Sequence, residues 1–83
     1  MGSKTFDGVW FSSYSDDHPP PHVHGRYAET EVILELGLDE VGFAHRRDNI
    51  RPRNAKMSDV KKIMTVAAKH RDELQALWEA THG

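Results

Sequence analysis

Residues 22–36 read HVHGRYAETEVILEL, and the alternation within them sets the fold class. In Glu31-Val32-Ile33-Leu34-Glu35-Leu36, Val32, Leu34 and Leu36 recur at every second position. That spacing puts the three on one face of a strand and Ile33 on the other. His22 to Thr30 reads as the preceding strand, with Gly25 marking a bulge or a close approach by another element. Upstream, Phe6 to Tyr14 mixes aromatic residues, Val and Ser without helical periodicity and reads as a first strand. Downstream, Gly37-Leu38-Asp39-Glu40 turns the chain into a fourth strand, Val41 to His45.

Beyond the strands the period changes. Arg46 to Lys56 is a basic loop punctuated by Pro52. Ser58 then offers an N-cap hydroxyl, and Asp59 suits the positive end of a helix dipole. Val60, Ile63, Met64, Ala67, Leu74, Leu77 and Trp78 follow at spacings of three and four, an amphipathic stripe. The expected fold is therefore α+β, with one domain over residues 1–83. Its strands lie within 6–46, forming an antiparallel meander of three or four strands, with a loop over 46–57. One long C-terminal helix over 58–81 covers one face.

The chain has 83 residues, no cysteine and a formal net charge of −2. A single thin core follows from that length, since so short a domain buries roughly 60% of its unfolded surface. Without cysteine there is no disulfide staple and no thiolate metal site. No apolar run approaches a membrane span, no signal-peptide core follows Met1, and Phe6 stands where a myristoylation signal wants Ser or Thr. A cytoplasmic bacterial protein with no membrane partner is the expectation. Acidic residues dominate positions 1–42 and 72–83, whereas basic residues dominate 43–71. Such asymmetry suits an acidic or nucleic-acid partner, or head-to-tail self-association into a homo-oligomer; a merely solvated surface is the plain alternative.

The residues able to do chemistry concentrate in Asp17-His18-Pro19-Pro20-Pro21-His22-Val23-His24. The prolines lock φ and lack the N–H, so they form an extended connector. His22 and His24 sit two apart on a strand, about 6–7 Å between Cα atoms, where two imidazoles can converge on one ion. The stiff connector brings His18 in as a third ligand, and Asp16 or Asp17 supplies an oxygen or orients a ring. Zinc and nickel are the divalent metals this imidazole set would take. The same rings could instead work as acid and base, since imidazole titrates near neutral pH. They could also be structural, capping strand edges. His70 lies between Ala67 and Leu74 at the margin of the helix stripe. It is either a half-buried histidine with a partner or, with Arg71, the completion of the His22/His24 site. Because Val23 is the apolar member of its trio, it should take the covered face and leave His22 and His24 on the open one. On that reading, His70→Leu disturbs function more than stability.

The run acid-His-Pro-Pro-Pro-His-hydrophobic-His at Asp17 to His24, followed by His70, Arg71, Leu74 and Trp78 on a terminal helix, resembles a family of short bacterial proteins. That family is catalogued as a domain of unknown function, DUF4160. The resemblance covers nearly the whole chain, with Asp17 where such proteins more usually carry Glu, and an unusually basic 46–56 segment. It implies a fold and no activity. It also implies membership of gene pairs of the toxin–antitoxin kind, and hence a cognate protein partner.

Two function classes follow. In the first, His22, His24 and His70 are catalytic, with or without a metal at His18, His22 and His24. RNA cleavage is one such chemistry, His22 or His24 acting as base while Arg46, Arg47 or Arg71 stabilises the phosphorane charge. His22-Val23-His24 also resembles the motif of metal-dependent endonucleases that join a tyrosine to a nicked strand. Here Tyr14 and Tyr27 both fall in strands, which speaks against that chemistry. Histidine-triad nucleotide hydrolases want alternating histidines where this chain has prolines. In the second class the chain is a non-catalytic module. It meets a protein at an exposed strand edge, or RNA or single-stranded DNA through Arg46, Arg47, Arg51, Arg53 and Lys56.

Overall fold

A computed structural model describes residues 2–15, 18–37, 41–43 and 49–82, and of Phe43 the backbone only. Among the described residues six strands form one antiparallel sheet: β1 (Gly2–Phe6), β2 (Val9–Ser13), β3 (His22–Tyr27), β4 (Thr30–Leu36), β5 (Val41–Phe43) and β6 (Ile50–Arg51). The first five follow one another as a meander, and β6 returns to pair with β4 beside β5. Two helices follow among the described residues, α1 (Met57–Lys69) and α2 (Arg71–His82). The α+β class and the antiparallel meander agree with the sequence; the strand number and the single helix do not.

Each difference has a local cause. Residues 6–14 are not one strand, because Asp7 and Gly8 turn the chain with φ of 50° and 83°. Two positive φ values in a two-residue loop fit a type I′ hairpin, for which Asp-Gly is a preferred pair. The second hairpin turns at Ala28 and Glu29, where Ala28 has φ 55°. No glycine or asparagine announces that turn, so 22–30 reads as unbroken strand in the sequence. Within the basic loop, Ile50 and Arg51 pair with Val32 and Glu31.

The helix begins before Ser58. Lys56 is the N-cap, without a side-chain cap bond, and its carbonyl accepts from the N–H groups of Asp59 and Val60. At His70 the backbone leaves helical geometry (φ −111°, ψ 28°) and α2 starts anew. His70 N–H still donates to Val66 O, and Leu74 N–H to His70 O, so the apolar stripe runs through the break.

Alternation decides which strand faces carry the core. Val9 and Phe11 of β2, Val23 of β3, and Val32, Leu34 and Leu36 of β4 pack with Val60, Ile63, Val66, Ala67, Leu74, Leu77 and Trp78 of the helices. Ile33 lies outside that cluster, as its position on the opposite face requires. Gly25 is a close approach: a Cβ there would stand 2.7 Å from Ile63 Cγ2 and 3.0 Å from Phe11 Cε1. Among the described residues no helix is long and apolar enough to cross a membrane.

Candidate functional site

His22 opens β3 and its ring is buried (1% exposed). Nδ1 lies 3.0 Å from Pro20 O. A carbonyl only accepts, so Nδ1 carries the proton, and in the neutral ring the lone pair is on Nε2. His24, two residues on, has Nδ1 3.3 Å from Glu31 Oε2 on β4. An ionised carboxylate likewise only accepts, so His24 too carries a proton on Nδ1. Glu31 is anchored in turn, Oε1 lying 3.3 Å from the Arg26 guanidinium.

Rings gather around this pair. The His22 and His24 centroids lie 5.7 Å apart, Tyr14 meets His24 edge-on at 5.0 Å, and Trp78 of α2 lies 5.2 Å from His22. His82, one turn beyond, stacks on Trp78 at 3.5 Å and donates from Nδ1 to the Trp78 carbonyl. Sequence reasoning missed Tyr14 and His82 as neighbours of this cluster. The i, i+4 spacing of Trp78 and His82 on a helix could have suggested the second.

Other candidates stand elsewhere. Val23 takes the covered face as expected, but His22 is not on an open one, because Trp78 and the proline connector close over it. His18 is exposed. Among the described residues no three His, Asp or Glu side chains are arranged to hold a metal, so His18, His22 and His24 do not converge as a ready-made set. Asp16 and Asp17 lie outside the described residues.

His70 does not complete the pair. It stacks on Phe6 at 4.2 Å, with Nδ1 2.9 Å from Glu73 Oε2 and Nε2 3.4 Å from Asp7 Oδ2. Its work is to fasten the β1–β2 hairpin to the helix break. Lys69, 3.5 Å away, together with His70 holds the Asp7 carboxyl below the usual carboxylate range. Arg71 is likewise occupied, since its Nε and a terminal nitrogen both donate to Gly37 O. Of the basic segment, Arg51, Arg53 and Lys56 are exposed, while Arg46 and Arg47 lie outside the described residues.

The family model for a domain of unknown function, DUF4160, matches residues 8–79. The chain belongs to the DUF4160 family. No curated protein and no solved structure matches it. In this DUF4160 domain the match takes in both histidines of the pair, Glu31 and Trp78, but neither His82 nor the first strand.

Proposed function

We propose that His22 and His24 are two ligands of a divalent transition-metal site, for zinc or nickel, in one member of a two-protein system of the toxin–antitoxin kind. The observation that carries the metal reading is the donating Nδ1 of both rings. Metal-ligating histidines almost always donate their other ring N–H to a backbone carbonyl or a carboxylate. His22 does the first at Pro20 and His24 the second at Glu31. Both Nε2 atoms are thereby the ligating atoms, on rings 5.7 Å apart. His18 supplies a third ligand by movement of the connector, or the cognate protein supplies it. The gene-pair habit of the resembled family is what favours such a partner.

The test is calorimetric titration of untagged protein, never exposed to nickel resin, with Zn²⁺ and Ni²⁺. Near-unit stoichiometry is expected. His22→Ala and His24→Ala should each lower affinity tenfold or more, and Glu31→Gln should do so by removing the carboxylate that orients the His24 ring. A His18→Ala variant distinguishes the two sources of the third ligand. Absence of heat, or equal binding in the His22 and His24 variants, overturns the site and leaves acid–base use of the same Nε2 atoms.

The exposure of Arg51, Arg53 and Lys56 favours a second reading, a nucleic-acid-binding module. Affinity for a short RNA should then fall steeply with salt, and the slope should flatten in the Arg51→Ala/Arg53→Ala variant. A flat response in the unaltered protein removes that reading.

A further inference from the structure

The outer side of the two helices carries one stripe, Lys61, Thr65, Ala68, Asp72, Ala76 and Glu79, at spacings of three and four; all six are exposed. It lies opposite the buried stripe of Val60, Ile63, Val66, Ala67, Leu74, Leu77 and Trp78. Its charge is divided by the break at His70. On the α1 side stand Lys61 and Lys69, Lys62 being turned over the Tyr27 ring; on the α2 side stand Asp72, Glu73 and Glu79. The middle and the α2 half carry small side chains, Thr65, Ala68, Ala76 and Ala80, that allow close approach.

This pattern is self-complementary under a two-fold axis. If two copies lie antiparallel, crossing at residue 70, Lys61 faces Glu79 of the second copy and Lys69 comes beside its Asp72 and Glu73. The reciprocal contacts repeat, as an isologous interface requires. Arg71 would be the like charge nearest Lys69, but it is turned inward onto Gly37 O. The internal contacts of these groups are Lys69 with Asp7 at 3.5 Å, Asp72 with Arg71 at 3.2 Å, His70 with Glu73 at 2.9 Å and Gln75 with Glu79 at 3.2 Å. All engage exposed side chains, where such pairs are weak and exchangeable. A nucleic acid fits this stripe poorly, because its α2 half would repel phosphates.

We infer that this helix face docks a second copy of the chain, as an antiparallel, charge-matched dimer centred on the helix break. One helix pair with small side chains at its centre is a modest contact, so the dimer is salt-sensitive and of moderate affinity.

Sedimentation equilibrium of the full chain tests it. At about 50 mM salt the mass should rise from monomer to dimer with concentration, and at about 500 mM it should fall back toward monomer. Lys61→Glu and Glu79→Lys should each weaken the dimer about tenfold, and the double variant Lys61→Glu/Glu79→Lys should restore it, since the swapped charges again meet. All substituted positions are exposed, and circular dichroism checks that the fold is retained. A monomer at every low-salt concentration overturns the proposal. So does a dimer that neither single swap disturbs, or a monomer whose stripe binds RNA through Lys61.

Discussion

At the scale of single residues, the backbone makes demands that the side chains only partly answer. Asp7 and Gly8 suit the positive φ their turn needs, whereas Ala28 at φ 55° bears a Cβ in a region that disfavours it. Gly25 is the tighter case, because no side chain fits between β3 and α1. Gly25→Ala would drive Ile63 or Phe11 off its position, at an expected cost of about 1–3 kcal/mol. Urea unfolding with an unchanged m-value is the measurement, and a neutral result would mean that α1 can shift on the sheet without loss. The chemistry of His22 also resolves at this scale. Its tautomer follows from Pro20 O, a partner two residues away that the His-x-His spacing alone did not reveal.

At the scale of elements, the junction of α1 and α2 shows why the sequence predicts one helix and the chain forms two. The apolar stripe continues unbroken, and neither proline nor glycine marks residue 70. The break coincides with contacts to a distant hairpin, Phe6 beneath the His70 ring and Asp7 at its edge, and helical period carries no trace of them. These contacts lead to the opposite expectation for His70→Leu, a greater effect on stability than on the site. The variant should lose about 1 kcal/mol of stability through two hydrogen bonds at the joint and keep its Zn²⁺ affinity; unaltered stability with lost metal binding would reinstate His70 in the site. Acid should act on the same joint. The Asp7 carboxylate, with its pKa lowered by Lys69 and His70, contributes stability above the ordinary aspartate pKa, and that contribution is lost as pH falls through the lowered value. Asp7→Asn, which tolerates positive φ, should remove this part of the acid-side loss. Melting curves of both proteins between about pH 2 and 6 would converge at the acid end; parallel curves would show that Asp7 contributes nothing.

For the whole molecule, what the sequence conveys well is what period and alternation encode. The buried faces of β4 and of the helices, the covered position of Val23 and the family membership were all legible from residue order. The two-residue turn at Ala28 was not, since nothing in Tyr27-Ala28-Glu29-Thr30 signals it. Nor were the partners of the histidines, because Glu31, Trp78 and Tyr14 come together only through strand pairing and helix docking. The charge asymmetry was visible in the sequence as a division along the chain. Folding sharpens it, turning part of the basic and acidic runs into two halves of one exposed helix stripe.

The contact between Trp78 and His22 has an optical consequence. An indole 5.2 Å from an imidazole senses that ring's state, because an imidazolium quenches its excited state far more strongly than neutral imidazole does. The chain has two tryptophans, and the other, Trp10, lies under the Arg26 guanidinium in a different setting. Replacing Trp10 by Phe leaves Trp78 as the sole indole emitter. His82 stacks on the same indole at 3.5 Å and must be replaced by Gln as well; the emission then follows protonation or occupation of the histidine pair without an attached label.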